Sequence, residues 1–167
     1  MELRPVLRDP WVWAQFALLL LVGIGAPLLP RSVNLGPLDP VLGMVDGRLI
    51  RVFGWPVIVA GVMFGAWAVV SLGRNLTPSV EPRHGATLVR SGAYAHCRHP
   101  IYFAMVLILT GYTLVWSNWR LALLVGVVAF AFLNAKASAE ERRLERRFRD
   151  YAEYRRWVPK ILPWGRR

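Results

Sequence analysis

The chain has 167 residues, of which 55% are hydrophobic, with eight Trp and a formal net charge of +11. That length suits one domain, and that composition excludes an ordinary soluble protein. A single cysteine, Cys97, excludes an internal disulfide and a cysteine-only metal site, and reads as a small loop residue in a reducing compartment.

Four apolar runs dominate. Residues 11–29, 52–72, 101–117 and 119–135 each carry at most one charge, and each is about long enough to cross a bilayer, which takes roughly 17–25 residues. The predicted fold is an all-α integral membrane protein, one membrane domain over residues 1–167 with four transmembrane helices. The first run follows Arg4 and Arg8. It is too long for the apolar part of a signal peptide and lacks a small-residue cleavage site, so it is expected to stay on the protein. Gly23, Gly25 and Pro27 near its far end point to close packing or a bend. In the following loop, Pro30 to Arg51, Asp39-Pro40 could cap a short interfacial helix ending near Gly47.

The second run carries Gly61 and Gly65, a G-x-x-x-G spacing that lets another backbone approach one helix face. Packing within the chain is the favoured reading, ahead of dimerisation, and the oligomeric state stays open. Residues 73–100 then turn polar, with Pro78, Pro82, Gly85 and Gly92 as helix breakers. His84, His96 and His99 fall within this loop. None stands at the i, i+4 spacing of a helical zinc site, and Glu81 lies among prolines, so no metal is expected.

Arg98-His99-Pro100-Ile101-Tyr102 joins this loop to the third run. Proline fits the first turn of a helix, where its missing N–H is not needed, so Pro100 reads as the first helical residue and His99 as the cap. Two potentially cationic side chains then stand at a helix N-terminus whose N–H groups also attract anions. Tyr102 can turn its hydroxyl into the same pocket. Ser117-Asn118, between Trp116 and Trp119, reads as a tight turn in the aromatic belt, making the third and fourth helices an antiparallel hairpin. Counting Lys and Arg on alternate sides of the four runs gives 17 against 4. Both termini and the Arg98–His99 loop are therefore expected on the cytoplasmic side, at the plasma (inner) membrane. The same asymmetry, with attraction to anionic headgroups, accounts for the net charge without nucleic acid.

The fourth helix is expected to end around Asn134 and Lys136, with Glu140-Glu141 directly after it. In the cytoplasmic segment 136–167, Leu144, Phe148 and Tyr151 recur at i, i+4, i+7 with arginines between, the pattern of an amphipathic helix lying at the interface. Adjacent carboxylates at the helix mouth of a basic tail are candidates for function.

Leu88-Val89-Arg90-Ser91-Gly92-Ala93-Tyr94, Arg98-His99-Pro100-Ile101-Tyr102, Glu140-Glu141, and Tyr151-Ala152-Glu153-Tyr154 before Val158-Pro159 and Leu162-Pro163 together resemble the isoprenylcysteine carboxyl methyltransferase family, whose plan phospholipid methyltransferases share. The resemblance covers about the last ninety residues. It implies an integral-membrane enzyme using S-adenosylmethionine, bound between the Arg-His-Pro-x-Tyr helix and the acidic segment. By motif, Arg98, His99, Tyr102, Glu140 and Tyr94 would hold the cofactor, and Glu141, Lys136 and Glu140 would serve the reaction. The sequence departs from the family pattern at Ala104, where Gly is usual, at Lys136, where Arg is usual, and at Phe148-Arg149, where Phe-Gly is usual. An ammonium does not reproduce the bidentate fork of a guanidinium.

The residues agree with that chemistry, because S-adenosylmethionine needs cationic, anionic and apolar groups close together. Arg98 and His99 suit its carboxylate, and Glu140 or Glu141 its ammonium or ribose. The expected function is methyl transfer to a lipophilic or lipidated acceptor, a prenylcysteine-like carboxylate or a lipid amine, reaching the site from the membrane lipids. Two alternatives stand beside it: a membrane-bound NAD(P)H-dependent reductase of an isoprenoid or sterol, and a non-catalytic lipid-binding anchor. No G-x-G-x-x-G follows a strand, which excludes a soluble dinucleotide-fold methyltransferase.

Overall fold

A computed structural model describes residues 9–28, 47–73 and 87–163. Among these the regular structure is helical throughout: α1 (Pro10–Leu28), α2 (Gly47–Leu72), a 3-10 turn (Gly92–Ala95), α3 (Pro100–Trp116), α4 (Trp119–Arg147) and α5 (Tyr151–Trp157). α1, α2 from Arg51 onward, and α4 are long and apolar enough to cross a membrane, and α3 is a shorter apolar helix. Their outward faces carry large apolar side chains, Leu21, Met63, Val70 and Val127 among them, that water would not tolerate in such density. The chain is an integral membrane protein.

α3 is the central helix. It lies against α2 on one side and forms a hairpin with α4 on the other, while α1 runs along the α3–α4 groove. Glycines set the α2–α3 distance. A Cβ on Gly111 would lie 2.9 Å from the Gly54 carbonyl oxygen, and one on Gly61 3.1 Å from the Ala104 carbonyl oxygen. The G-x-x-x-G face of α2 is thus used inside the chain. Ala104 adds a methyl where the related pattern has none, and Gly65 opposite leaves the space for it. In the α3–α4 turn, Asn118 caps α4 by accepting from the Leu121 N–H at 2.8 Å, and the Ser117 N–H closes α3 on the Thr113 carbonyl at 2.9 Å. Val22 of α1, Leu109 of α3 and Ala129 of α4 form one buried contact, and the Trp11 ring tilts against Phe132.

The structure corrects the predicted tail. α4 does not end near residue 135 but runs unbroken to Arg147, because Lys136 to Arg147 contains only good or neutral helix formers and neither Gly nor Pro. Glu140 and Glu141 therefore sit inside the helix. The chain then turns extended at Phe148 and restarts as α5, which breaks the expected Leu144–Phe148–Tyr151 stripe. α5 buries Tyr151 and Tyr154 against the protein. α2 also begins earlier than predicted, at Gly47, with Pro56 accommodated within it. The candidate helix near Asp39, and Glu81 and His84, lie outside the described residues.

Candidate active site

His99 caps α3 and Pro100 takes its first position, as the sequence predicts. The hairpin brings Glu140 and Glu141 of α4 to this same end. Arg98 Nε donates to Glu141 Oε1 at 2.9 Å, and His99 Nε2 lies 3.1 Å from the same oxygen. On its other side His99 Nδ1 is 3.5 Å from Glu140 Oε2, and the Tyr102 hydroxyl donates to Glu140 Oε1. The His99 and Tyr102 rings stack, with centroids 5.4 Å apart and planes 7° from parallel. The side chains of Arg98, His99 and Glu141 are 8%, 7% and 6% exposed, so water screens these charges little. Burial works against a charge on His99, but the Glu140 and Glu141 carboxylates outweigh it and raise the imidazole above its ordinary value.

At the N-terminus of α3 two N–H groups are taken up within the chain. The N–H groups of Tyr102 and Phe103 both bond the His99 carbonyl, and Pro100 has no N–H. The N–H groups of Arg98 and His99 bond the carbonyls of Pro159 and Lys160, each at 2.9 Å. At this mouth the anions are the chain's own glutamates.

The Pro159–Lys160 contact belongs to a strap, residues 151–161, that covers the site. Arg98 donates a second bond to the Arg155 carbonyl at 2.8 Å, and Arg155 pairs with Glu145 of α4. The Tyr154 hydroxyl donates to the Tyr94 carbonyl at 2.6 Å, and Lys160 donates to the Asn134 carbonyl and to Ser138 Oγ. From the loop side, Gly92 places Tyr94. It has φ +62, and a Cβ there would lie 2.3 Å from Ser71 Oγ, which itself accepts the Ala93 N–H. Tyr94 is buried, and the Glu140 carboxylate acts on its phenol. Cys97 is fully buried, and burial pushes its thiol up to about 12, so it is not a thiolate at neutral pH.

One turn before Glu140 on α4, Lys136 points into the bundle and is 1% exposed. Its ammonium donates to the Gln15 side-chain oxygen on α1 and stands 5.4 Å from the centre of the Tyr102 ring. Gln15 donates onward to the Met105 sulfur at 3.6 Å. The seven residues singled out in the sequence, Tyr94, Arg98, His99, Tyr102, Lys136, Glu140 and Glu141, thus meet at one end of the bundle.

Gln15 and Tyr151 were not anticipated. Tyr151 is 1% exposed, and its phenol stands against the Glu141 carboxylate. A lone glutamine in an apolar run was the available signal for Gln15; for Tyr151 it was the Tyr-Ala-Glu-Tyr stretch of the resemblance, which gave the residue no role of its own. No group of three or more His, Cys, Asp or Glu side chains suited to a metal ion occurs among the described residues.

The sequence model described as the isoprenylcysteine carboxyl methyltransferase (ICMT) family matches residues 54–146, more than half of the chain. The cobalt-zinc-cadmium resistance protein CzcN of Cupriavidus metallidurans is 30% identical over 84 residues, 50% of this chain. The chain matches 39% of that relative's length. All seven clustered residues, from Tyr94 to Glu141, lie inside the family match, whereas Gln15 and the strap lie outside it.

Proposed function

We propose, because the chain belongs to the isoprenylcysteine carboxyl methyltransferase family, that it is a membrane methyltransferase and transfers a methyl group from S-adenosylmethionine to a lipophilic carboxylate drawn from the bilayer. The observation that carries this reading is the buried cluster of Arg98, His99, Tyr102, Glu140 and Glu141 at the mouth of two membrane helices. Its donor set fits the cofactor: cations for a carboxylate, carboxylates for an ammonium and a ribose, and stacked aromatic rings beside a sulfonium.

In this reading Arg98, His99, Tyr102, Glu140 and Tyr94 hold the cofactor, and Glu141 keeps Arg98 and His99 in place. S-adenosylmethionine supplies an electrophilic methyl group, so an acceptor carboxylate attacks without losing a proton. The protein's task is alignment and exclusion of water. Holding two reactants in line lowers a barrier by roughly 7–11 kcal/mol in favourable cases, and the strap across Arg98 and His99 keeps water from that end. Lys136, inside the bundle beside Tyr102, attracts and orients an anionic headgroup while its tail stays among the helices. The same ammonium repels a lipid amine, which favours the carboxylate acceptor.

The architecture in this proposal is a single membrane domain with four crossings. α3 supplies the shortest, since its 17 residues rise about 25 Å against a hydrocarbon core of roughly 30 Å. The site then lies slightly within the bilayer edge, where a lipid chain reaches it sideways. The charge asymmetry of the loops supports the reading that this edge is on the cytoplasmic face of the inner membrane.

The test is binding of S-adenosylmethionine to the purified protein in detergent by calorimetry, followed by transfer of labelled methyl to prenylcysteine analogues and to phosphatidylethanolamine. Saturable binding that His99→Ala abolishes, with label in the carboxylate acceptor, supports the proposal. A folded protein that binds no S-adenosylmethionine with lipid present overturns it.

A further inference from the structure

A cavity of about 410 Å³ opens away from the glutamate cluster, between the loop that precedes the 3-10 turn and the end of α4. Thr87, Leu88 and Arg90 line one wall, and Arg147 to Asp150 the other. The chain builds it where α4 stops. Phe148 turns extended, at φ −115 and ψ 112, and its N–H closes the helix on the Leu144 carbonyl at 2.8 Å. Arg90 ties the turn that follows across the cavity, meeting the Asp150 carboxylate at 3.0 Å and the Asp150 carbonyl at 3.3 Å. Asp150 makes no side-chain cap on α5, so its carboxylate serves the ion pair.

Charge decides what such a cavity takes. Arg147 lies 5.8 Å from the centre of the Phe148 ring, and as a last-turn cation it also answers the carbonyl end of α4. Arg149 stands beyond the helix, where that attraction has faded. Three guanidiniums thus share the walls with one carboxylate, an excess of two positive charges. A carboxylate or a phosphodiester brings one negative charge, whereas a phosphate monoester brings about 1.5 to 2 at neutral pH. Guanidinium forks match its oxygens in pairs. Leu88 and Phe148, half-buried in the two walls, suit the organic part of an ester.

We propose that Arg90, Arg147 and Arg149 form a binding site for a phosphate monoester, separate from the glutamate cluster. The wall from Arg147 to Asp150 lies beyond the residues matched by the family model, so the family match does not account for it. Nor does the site depend on which ligand the glutamates take. Arg147 follows Glu140 by seven residues, which is roughly 10 Å farther along the helix. With Glu140 at the bilayer edge, and a headgroup layer roughly 5–7 Å deep beyond the hydrocarbon, the cavity opens at the outer level of the headgroups. A lipid phosphate and a soluble one both reach it there.

Calorimetry on the full-length protein in detergent, at fixed ionic strength, compares dioctanoyl phosphatidic acid, dioctanoyl phosphatidylglycerol and glycerol 3-phosphate. Phosphatidic acid is expected to bind more tightly than phosphatidylglycerol, whose phosphate is a diester. Arg149→Gln weakens phosphatidic acid about tenfold, the lower end for one charge-assisted hydrogen bond. Asp150→Asn removes the opposing carboxylate and tightens it. Arg156→Gln, outside the cavity, leaves it nearly unchanged. All three substituted side chains are exposed, so the variants melt close to the parent. With that pattern, glycerol 3-phosphate held as tightly as phosphatidic acid identifies a soluble ester as the occupant, and much weaker binding identifies a lipid headgroup. Phosphatidylglycerol bound as tightly as phosphatidic acid, equal losses in Arg149→Gln and Arg156→Gln, or no binding of either monoester by the folded parent overturns the site. Loss of S-adenosylmethionine binding in Arg149→Gln overturns it too, because the cavity would then belong to the cofactor.

Discussion

Lys136 and Gln15 stand 121 positions apart in sequence, yet the lysine ammonium donates directly to the glutamine side chain inside the bundle. A residue of the first helix thereby positions a charge beside the Tyr102 ring. Gln15→Leu keeps the bulk and removes the acceptor, leaving a buried ammonium short of a partner. The expected loss is about 2 kcal/mol of stability, roughly 4–8 °C in melting temperature. The KM of a carboxylate acceptor rises while the affinity for S-adenosylmethionine stays within about twofold, and Gln15→Asn recovers part of the loss. A variant whose acceptor KM matched the parent would show that Gln15 only packs.

Glu141→Gln is expected to do more damage than any exposed substitution. It leaves Arg98 and His99 buried without the carboxylate that both contact, and breaking such a group from one side costs about 3–5 kcal/mol. Exposed Glu153→Gln on α5 serves as the comparison. Thermal melts of the two variants should differ by about 6 °C or more, with S-adenosylmethionine binding lost only in Glu141→Gln.

His99 makes stability depend on pH with a definite sign. Its folded-state value is raised above 6.5 by Glu140 and Glu141, against the opposing effect of burial. A raised value means the folded state binds the proton more tightly. The stabilisation is therefore complete below about pH 6.5 and is lost as the pH climbs through the folded-state value. Melting temperatures taken from pH 6 to 10 should fall with rising pH, and His99→Gln should flatten that slope. An identical slope in the variant would assign the effect to another group.

Glycine positions offer a test of the fold alone. Gly111→Val forces a side chain against the Gly54 carbonyl and the Ile58 N–H, 2.9 and 3.0 Å from its Cβ position, and neither is a flexible tip. The α2–α3 contact must open, at a cost of about 1–3 kcal/mol or more. Gly23→Ala meets nothing within 4 Å and should leave the melting temperature unchanged or slightly raised. Equal behaviour of the two variants would contradict the packing described.

Much of this was legible in the sequence because the membrane simplifies the reading. Long apolar runs, a proline at the start of α3 and a Trp-flanked Ser117-Asn118 turn locate helices without tertiary knowledge. The motif resemblance, together with the hairpin, brought Arg98, His99, Tyr102, Glu140 and Glu141 to one end. Periodicity misled beyond Lys136, since Leu144, Phe148 and Tyr151 share a stripe only if the helix continues past Phe148, which it does not. The Lys136–Gln15 bond was illegible for a different reason. It depends on which face α1 turns toward α3 and α4, and in a run otherwise apolar on every side Gln15 alone hints at that face without naming its partner. The strap's bonds to Arg98 and His99 join backbone to backbone, and residue identity says little about such pairing.

The buried ion cluster also governs how salt acts on this protein. Arg98 and His99 face Glu140 and Glu141 within 3.5 Å, behind side chains that keep solvent ions out. A charged ligand arriving there trades places with partners the protein already has, so few bound counterions leave with it. Its affinity should hold nearly level as ionic strength rises. The exposed arginines of the tail behave oppositely, because their pull on an acidic bilayer fades once the screening distance shrinks to about 8 Å or less. One molecule would thus grip a charged ligand in brine while loosening its outer hold on the lipid surface.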